Sequence, residues 1–439
     1  MNRFLVFTLC LLSLNGKSWA TAPQLTATEE LGRQLFLDSQ LSSPPGQACA
    51  SCHTPSAAFA DPDKSKPTSK GVISGRFGNR NSPTAMYAAF SPPFHFDNEE
   101  GLFLGGQFLD GRASSLEIQA QGPFLNPLEM ANPDKTTVVE KVRNATYAPL
   151  FLEVFGLNAF DNVDQAYESI ATAIASFERT KAFSPFSSKF DAYLAGKATL
   201  TPTEQRGLEL FENANKGNCA ACHPNRPSTD GTPPLFTDFS YDNLGTPRNP
   251  DNPFYSLPTE FNPDGLNFID IGLGKTVNSS AENGKFKVPT LRNIAKTDAF
   301  MHNGYFKTLH GVVDFYNTRD TKPSCLSDMV SESQALQQAC WPAAEVVENV
   351  NGDELGNLQL SSSEVDDIVA FMQILSDGYG DIDQDGDVDN SDLNLIMSAK
   401  NKPSSGTSDA RDLNSDGKID LLDARKLVLL CTRPKCVIQ

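Results

Sequence analysis

Two copies of the motif Cys-x-x-Cys-His constrain this chain more than any other feature. They are Cys49-Ala-Ser-Cys-His53 and Cys219-Ala-Ala-Cys-His223. Two thiols at this spacing can form thioether bonds to the vinyl groups of a haem, and the adjacent histidine can bind its iron. A zinc site or a redox-active cysteine pair is the alternative for a single copy, but two complete copies favour two covalent c-type haems. The predicted haem-binding residues are Cys49, Cys52, His53, Cys219, Cys222 and His223.

The length and charge of the chain limit its class. With 439 residues, it is long enough for two or three domains, each with its own core. It carries 36 basic and 54 acidic residues, a formal net charge of -18. This balance repels phosphate backbones, so nucleic acid is excluded as a partner. Much of the acidity follows Asp381 and reflects a local cluster rather than a charged face.

The first twenty residues have the features of a secretory signal peptide. Arg3 precedes an apolar run from Phe4 to Leu14, and the small residues Ser18 and Ala20 favour cleavage after position 20. An uncleaved anchor is the alternative, although the apolar run is too short to span a bilayer. No later stretch approaches the length of a membrane helix. We therefore expect an exported protein without a membrane span, in the periplasm or on the outer cell surface.

The other cysteines form an even set once Cys10, inside the signal peptide, is set aside. Four of the remaining eight belong to the haem motifs, and the last four fall into two local pairs. Such pairs in an exported chain favour disulfides. We predict that Cys325 pairs with Cys340 and Cys431 with Cys436; buried free thiols are the alternative.

Similar sequences precede the two haem motifs and indicate a duplicated haem domain. Each begins with a threonine that can cap a helix and a glutamate that completes a capping box, as in Thr201 and Glu204, followed by Gly-x-x-Leu-Phe. Apolar residues at helical spacing predict helices over 163–178 and 361–375. Long stretches rich in Pro, Gly and Asn predict loops. The expected fold is mainly α, with two c-type cytochrome haem domains and long loops.

The C-terminal tail contains two acidic loops of one pattern. Oxygen ligands at loop positions 1, 3, 5, 9 and 12, with glycine at position 6, suit calcium. The tandem loops, each followed by an apolar helix, resemble a type I dockerin; an acidic linker is the alternative. We therefore expect a small α-helical, calcium-binding, dockerin-like domain at 379–439. Its predicted ligands are Asp381, Asp383, Asp385, Asp389 and Asp392, and Asp412, Asn414, Asp416, Asp420 and Asp423.

Five further motifs occur in order between residues 31 and 375. They are Arg80-Asn81-Ser82-Pro83-Thr84, Asp110-Gly111-Arg112-Ala113, the run Gln119 to Met130 with Gly122-Pro123 and Asn126-Pro127, Val288-Pro289-Thr290-Leu291-Arg292-Asn293, and His302-Asn303-Gly304. With them the chain resembles the bacterial di-haem cytochrome c peroxidase and MauG family. The resemblance implies that the N-terminal haem meets hydrogen peroxide and that the C-terminal haem stores or relays electrons.

The same resemblance assigns roles to single residues. It makes His53 the proximal ligand of the peroxidatic haem and places Gln119, Pro123 and Glu129 on its distal side. Glu129 would then move a proton between the peroxide oxygens; a solvated surface glutamate is the alternative. Asn81 and the backbone carbonyl of Thr297 match a calcium site between the haem domains.

Three positions depart from the peroxidase pattern. No histidine occurs from Thr54 to Phe94, so no distal histidine is available to cap the first haem. The usual inter-haem tryptophan is replaced by Leu109, while Trp341 is expected to pack in the core. Tyr316 stands where classical peroxidases have a methionine ligand to the second iron, and MauG-like proteins use tyrosine there. A tyrosine packed in the core is the alternative.

These predictions combine into one hypothesis. We expect a signal peptide at 1–20, a peroxidatic haem domain at 21–195 and an electron-transfer haem domain at 196–378. Hydrogen peroxide is the expected oxidant, reduced with electrons from a small donor protein or from a protein side chain. The candidate partners of the tail are a cohesin-like protein and an attachment site on the cell surface. The alternative function is a non-enzymatic electron carrier anchored through the tail.

Overall fold

The computed structural model describes residues 25–406, 409–432 and 434–437, so the predicted signal peptide and Cys10 lie outside the described residues. Helices dominate these ranges, as expected. They are α1 (Ala27–Leu37), α2 (Cys49–Cys52), α3 (Leu116–Leu125), α4 (Lys135–Arg143), α5 (Ala148–Phe155), α6 (Val163–Glu178), α7 (Lys189–Leu194), α8 (Pro202–Glu212), α9 (Leu273–Val277), α10 (Leu309–Thr318), α11 (Glu332–Gln338), α12 (Ser362–Gln373), α13 (Asn390–Ser398) and α14 (Leu421–Leu430).

Short strands form three antiparallel two-stranded ribbons. Their pairs are β1 (His95–Asp97) with β2 (Leu102–Leu104), β3 (Tyr241–Asp242) with β4 (Phe286–Lys287), and β5 (Lys402–Pro403) with β6 (Lys418–Ile419). In register, Tyr241 lies opposite Lys287, which joins two distant loops beside the second haem motif. The small strand content confirms a mainly helical fold with long connections.

A pair of crossing helices, α1 and α6, organises the N-terminal half. Thr26 caps α1, because its hydroxyl accepts a hydrogen bond from the N–H of Glu29 and its own N–H donates to the Glu29 carboxylate. At the crossing, a Cβ added to Gly32 would overlap the carbonyl oxygen of Ala173. The predicted helix over 163–178 is confirmed at both ends.

The C-terminal half repeats this arrangement with α8 and α12. Thr201 and Glu204 form the predicted capping box, and a Cβ on Gly207 would overlap the carbonyl oxygen of Asp367. The helix predicted over 361–375 is observed as Ser362–Gln373, with Ser361 as its N-cap. The repeated glycine contact supports the predicted duplication.

Each half also has a cluster of four phenylalanine rings behind its haem motif. Most of the rings within a cluster meet edge to face, an arrangement that aromatic quadrupoles favour. The clusters are Phe36, Phe59, Phe177 and Phe183 in the N-terminal half, and Phe190, Phe211, Phe236 and Phe371 in the C-terminal half. Core aromatics therefore lie at equivalent places around both motifs.

Buried ion pairs join the two halves. The guanidinium of Arg80 contacts Asp110 at 2.7 Å and Asp270 at 2.6 Å; both aspartates are buried and the Arg80 side chain is 12% exposed. Removing one partner would leave a buried charge uncompensated, which is far costlier than breaking a surface pair. Arg80 therefore holds the segment before Asn81 against the C-terminal half.

Both predicted disulfides are confirmed, between Cys325 and Cys340 and between Cys431 and Cys436. The second closes the tail, where α13, α14 and the β5–β6 ribbon surround a small separate core. Tyr379 connects this tail to the body: its N–H donates to the carbonyl of Ser187, and its hydroxyl donates to the carbonyl of Leu413. In the part of the chain that the structure describes, no helix is both long and apolar enough to cross a bilayer.

We expect Gly32→Ala to lower the stability of the N-terminal half, because the new methyl group would force α1 and α6 apart. Overpacking of this kind costs about 1–3 kcal/mol. Calorimetric unfolding should show a lower melting temperature. Gly352→Ala is the control, since nothing lies within 4 Å of its added Cβ; equal melting temperatures for the two variants would contradict the close contact.

Candidate functional site

In each half, the ring of the motif histidine contacts the backbone carbonyl of a phenylalanine. Nδ1 of His53 lies 2.9 Å from the carbonyl oxygen of Phe59, and Nδ1 of His223 lies 2.8 Å from that of Phe236. This bond fixes the ring and leaves Nε2 to bind a metal. Burial lowers the pKa of both histidines, which favours the neutral, metal-binding form.

The four motif thiols fit covalent haem attachment. None forms a disulfide, although two disulfides occur elsewhere in the described residues. Burial raises the pKa of each thiol to about 12, unlike the low pKa of a reactive redox thiol. Unpaired, half-buried cysteines followed directly by an oriented histidine suit a c-type haem at each motif.

Tyr316 lies in the site of the second motif. It is on α10 and lines one cavity together with Cys219, Cys222 and His223. Burial raises the pKa of its phenol. A free Tyr316 is therefore protonated, and binding as phenolate requires a metal ion that displaces the proton. The structure thus brings Tyr316 and His223 together, as a shared iron would require.

Helix α3 and the turn after it carry the predicted distal residues of the first site. Gln119 and Pro123 are one turn apart and so share a face of the helix. The N–H of Met130 donates to the carbonyl of Pro123, which folds the chain back and positions the neighbouring Glu129. Glu129 interacts electrostatically with the Cys49 and Cys52 thiols, so it lies near the first haem motif.

The carboxyl group of Glu129 is oriented and electrostatically unusual. Nδ2 of Asn126 donates to its Oε1 at 2.8 Å. Burial raises the pKa of Glu129, while Arg112 and the bond from Asn126 oppose the shift. A carboxyl group with a raised pKa can both take and return a proton near neutral pH.

The three other histidines each have a contact of their own, although His302 also lines the cavity of the second site. His95 and His310 are exposed; His95 contacts the carbonyl of Pro93, and His310 lies 3.6 Å from Asp366. His302 is buried, where it stacks on Phe286 at 3.7 Å and approaches Glu345 at 3.4 Å. The chain has five histidines in all, two of them in the haem motifs.

Leu109 and Trp341 lie where the sequence predicted. Leu109 lines the cavity of the second site, and its carbonyl accepts from the N–H of Lys287. Trp341 is buried against Phe306 and Phe315, and its Nε1 donates to Thr318. Trp341 is therefore a core residue, as expected.

Asn81 and Thr297 line the same cavity near its border with the N-terminal half. Nδ2 of Asn81 lies 2.8 Å from the carbonyl oxygen of Ala299, two residues beyond Thr297. The sequence did not single out Ala299, because a backbone carbonyl leaves no residue-type signal. The amide nitrogen of Asn81 therefore faces this carbonyl, and the calcium site stays a prediction.

The predicted calcium ligands of the first tail loop lie close together. Carboxylate oxygens of Asp381, Asp383 and Asp385 lie within 4.8 Å of one another. Burial and neighbouring carboxylates raise the pKa of Asp381 and Asp383. Such crowding is relieved by a divalent cation. Asp389 and Asp392, at positions 9 and 12, are buried behind them.

The second tail loop has the same pattern of hydrogen bonds from backbone N–H groups to carboxylates as the first. Asp412 accepts from the N–H groups of Asp416 and Gly417, as Asp381 does from those of Asp385 and Gly386. The position-12 carboxylates are likewise equivalent, and each accepts from two or three backbone N–H groups of its own loop. The bonds are Asp392 with Ile382, Asp383 and Asp389, and Asp423 with Asn414 and Asp420.

Comparisons with known proteins agree with this geometry. The family model described as di-haem cytochrome c peroxidase matches residues 26–199. The methylamine utilization protein MauG of Paracoccus denitrificans is 37% identical over 374 residues, which are 84% of this chain and 93% of MauG. The cytochrome c peroxidase Ccp of Escherichia coli is 34% identical, over 64% of this chain and 51% of Ccp.

Among solved structures, a variant of the diheme peroxidase BthA of Burkholderia thailandensis has a fold similar to that of this chain. In this variant, methionine replaces one tyrosine. Its TM-score is 0.68 at 33% identity, over 80% of this chain and 86% of BthA. The chain therefore belongs to the di-haem cytochrome c peroxidase and MauG family, as an oxidoreductase with two c-type haems that uses hydrogen peroxide.

Proposed function

We propose that hydrogen peroxide reacts at the haem held by Cys49, Cys52 and His53. The observation that carries this proposal is the position of Glu129, oriented by Asn126 close to the two thiols. When bound, the haem supplies the redox-active iron for peroxide reduction. A pure electron carrier has no use for an oriented acid at this place, so the peroxidase is favoured over the carrier.

Glu129 acts in this proposal as the acid-base group. Its carboxylate takes the proton from one peroxide oxygen and returns it to the other, so that the second oxygen leaves as water. Gln119 and Pro123 border the space above the haem and limit how peroxide can lie. No histidine has to move away first, so the site is open to peroxide before any reduction.

Glu129→Gln should slow peroxide reduction by about two to four powers of ten, the range of acid-base catalysis. In the wild type, the rate should fall as pH drops through the pKa of Glu129, which burial places above the ordinary glutamate value. Stopped-flow mixing of the diferric protein with peroxide measures both effects. Glu153→Gln, at an exposed position, is the control; a Glu129→Gln rate equal to the control rate would remove Glu129 from the mechanism.

Tyr316, together with His223, would bind the iron of the second haem. A phenolate oxygen favours Fe(III) over Fe(II), so this haem should have a lower potential than one with histidine and methionine ligands. Leu109 cannot be oxidised as a tryptophan can. Together, Tyr316 and Leu109 favour the MauG-like branch, with a protein side chain as the reducing substrate; a small electron-donor protein is the other candidate.

Tyr316→Met should raise the potential of the second haem, by on the order of 0.1 V or more within the ~0.8 V span that axial ligands control. A methionine-to-iron band should also appear in the near-infrared spectrum of the ferric protein. Tyr193→Phe, at a tyrosine that packs against the same core, should leave both unchanged. If Tyr316→Met leaves the ferric EPR spectrum as it was, another residue is the ligand.

The domain organisation extends this proposal. We assign 21–195 to the peroxidatic haem domain, 196–378 to the electron-transfer haem domain and 379–439 to the dockerin-like domain, with 1–20 as an export signal. Asn81, Thr297 and Ala299 would bind calcium between the haem domains. The tail would bind two calcium ions and dock to a cohesin-like partner or a cell-surface attachment. The protein would then act in the periplasm or on the outer cell surface.

Calcium removal should loosen the tail and leave the haem spectra unchanged, because the carboxylates in each loop repel one another without the cation. At a calcium concentration of 100 times the dissociation constant, bound calcium contributes about 2.7 kcal/mol. Tail cleavage by a protease should therefore accelerate at least about tenfold with chelator. Asp381→Asn combined with Asp412→Asn should imitate chelation, whereas the exposed Asp353→Asn should not. Unchanged tail cleavage would discredit the calcium loops.

A further inference from the structure

Chains of packed residues connect Tyr87 to both motif histidines, the first of them through Phe183 and Phe59. Its N–H donates to the carbonyl of Phe183 at 2.9 Å. The ring centroids of Phe183 and Phe59 are 4.0 Å apart. The carbonyl of Phe59 is the partner of His53 Nδ1. Tyr87 is therefore linked to His53 through two buried phenylalanines.

A second path connects Tyr87 to the other histidine. The guanidinium carbon of Arg292 lies 5.0 Å from the centroid of the Tyr87 ring and 5.8 Å from that of Phe236. The carbonyl of Phe236 is the partner of His223 Nδ1. Arg292 and Phe236 are fully buried, so no water layer separates Tyr87 from the second site along this path.

The phenol of Tyr87 also has a proton acceptor. Its Oη donates to Oδ2 of Asp377 at 2.8 Å, and both residues are buried. Asp377 also accepts from Asn293 and Ser187, which fixes the carboxylate in place. Burial, with Asp377 as the next cause, raises the pKa of Tyr87, so the phenol keeps its proton at rest. A tyrosine that loses an electron becomes a strong acid, and Asp377 is in place to receive the proton.

We propose that Tyr87 is the redox relay between the two haem sites, with Asp377 as its proton acceptor. Leu109 cannot lose an electron, and Trp341 lies in a separate core around Phe306 and Phe315. Electron tunnelling slows exponentially with distance, so one oxidisable residue midway replaces a long step by two short ones. This inference rests on the proposed reaction of peroxide at the His53 haem.

The relay step conserves atoms and charge. After peroxide has oxidised the first haem site, Tyr87 gives it one electron, the phenolic O–H bond breaks and the proton moves to Oδ2 of Asp377. The second haem, reduced beforehand, then gives one electron to the Tyr87 radical and becomes ferric. The proton returns from Asp377 to the Tyr87 oxygen. The net change is one electron passed from the second haem to the first.

The test mixes fully reduced protein with peroxide and follows oxidation of each haem optically. Tyr87→Phe should slow oxidation of the second haem at least tenfold while the first haem still reacts at the wild-type rate. Tyr147→Phe is the matched control, because Tyr147 is also buried and its hydroxyl donates to a carboxylate, Asp38, at 2.6 Å. In the wild type, the slow step should run at least twofold slower in heavy water, and this isotope effect should vanish in Tyr87→Phe.

A spectroscopic measurement decides the matter if Tyr87→Phe alters the haem spectra or fails to fold. Rapid-freeze EPR of the wild type after peroxide should show a radical whose hyperfine pattern changes with ring-deuterated tyrosine. No such radical, an unchanged second-haem rate in Tyr87→Phe, an equal loss in Tyr147→Phe, or no isotope effect in the wild type would each overturn the relay. If peroxide fails to oxidise the first haem of the wild type at all, the proposed function fails instead.

Discussion

The bond from each proximal histidine to a phenylalanine carbonyl is the constraint on which the rest of this structure depends. Covalent attachment fixes a haem at one edge, but only the orientation of the imidazole decides where Nε2 points. Phe59 and Phe236 both adopt a left-handed backbone conformation that turns their carbonyls toward His53 and His223. Such a conformation is unfavourable for a bulky residue. Burial of the two rings in the phenylalanine clusters holds it in place.

The clusters in turn require close helix crossings, which explains the repeated glycines. Gly32 and Gly207 have no side chain, so the helix before each motif can approach a second helix until the two backbones are in contact. The second helix carries Phe177 in the first half and Phe371 in the second. Their rings contact those of Phe36 and Phe211, respectively. One scaffold thus serves both sites, and in the proposed function their chemistry differs through what each half adds: Glu129 in the first and Tyr316 in the second.

Local signals in the sequence predicted much of this structure, and long-range contacts explain what it missed. Capping boxes and apolar periodicity depend on neighbours a few residues apart, so α6 was predicted at both ends and α12 within two residues. The disulfides followed from short spacings. Phe59 and Phe236 were missed because they follow their histidines by 6 and 13 positions, so no shared spacing reveals them. The sequence did not single out Asp377, yet its side chain is buried and bonded to Tyr87 of one half and Asn293 of the other.

The duplication also explains why one interface residue can communicate with both iron sites. Since Phe59 and Phe236 occupy equivalent places, the segments that pack behind them meet where the halves join. Tyr87 extends from the first half into this junction, and Arg292 extends from the second. Leu109 replaces the tryptophan that the family resemblance places between the haem sites, so that connection is lost. The segments that orient His53 and His223 still meet at the junction of the halves. Tyr87, which reaches Phe59 through Phe183 and Phe236 through Arg292, is therefore placed to couple the two sites.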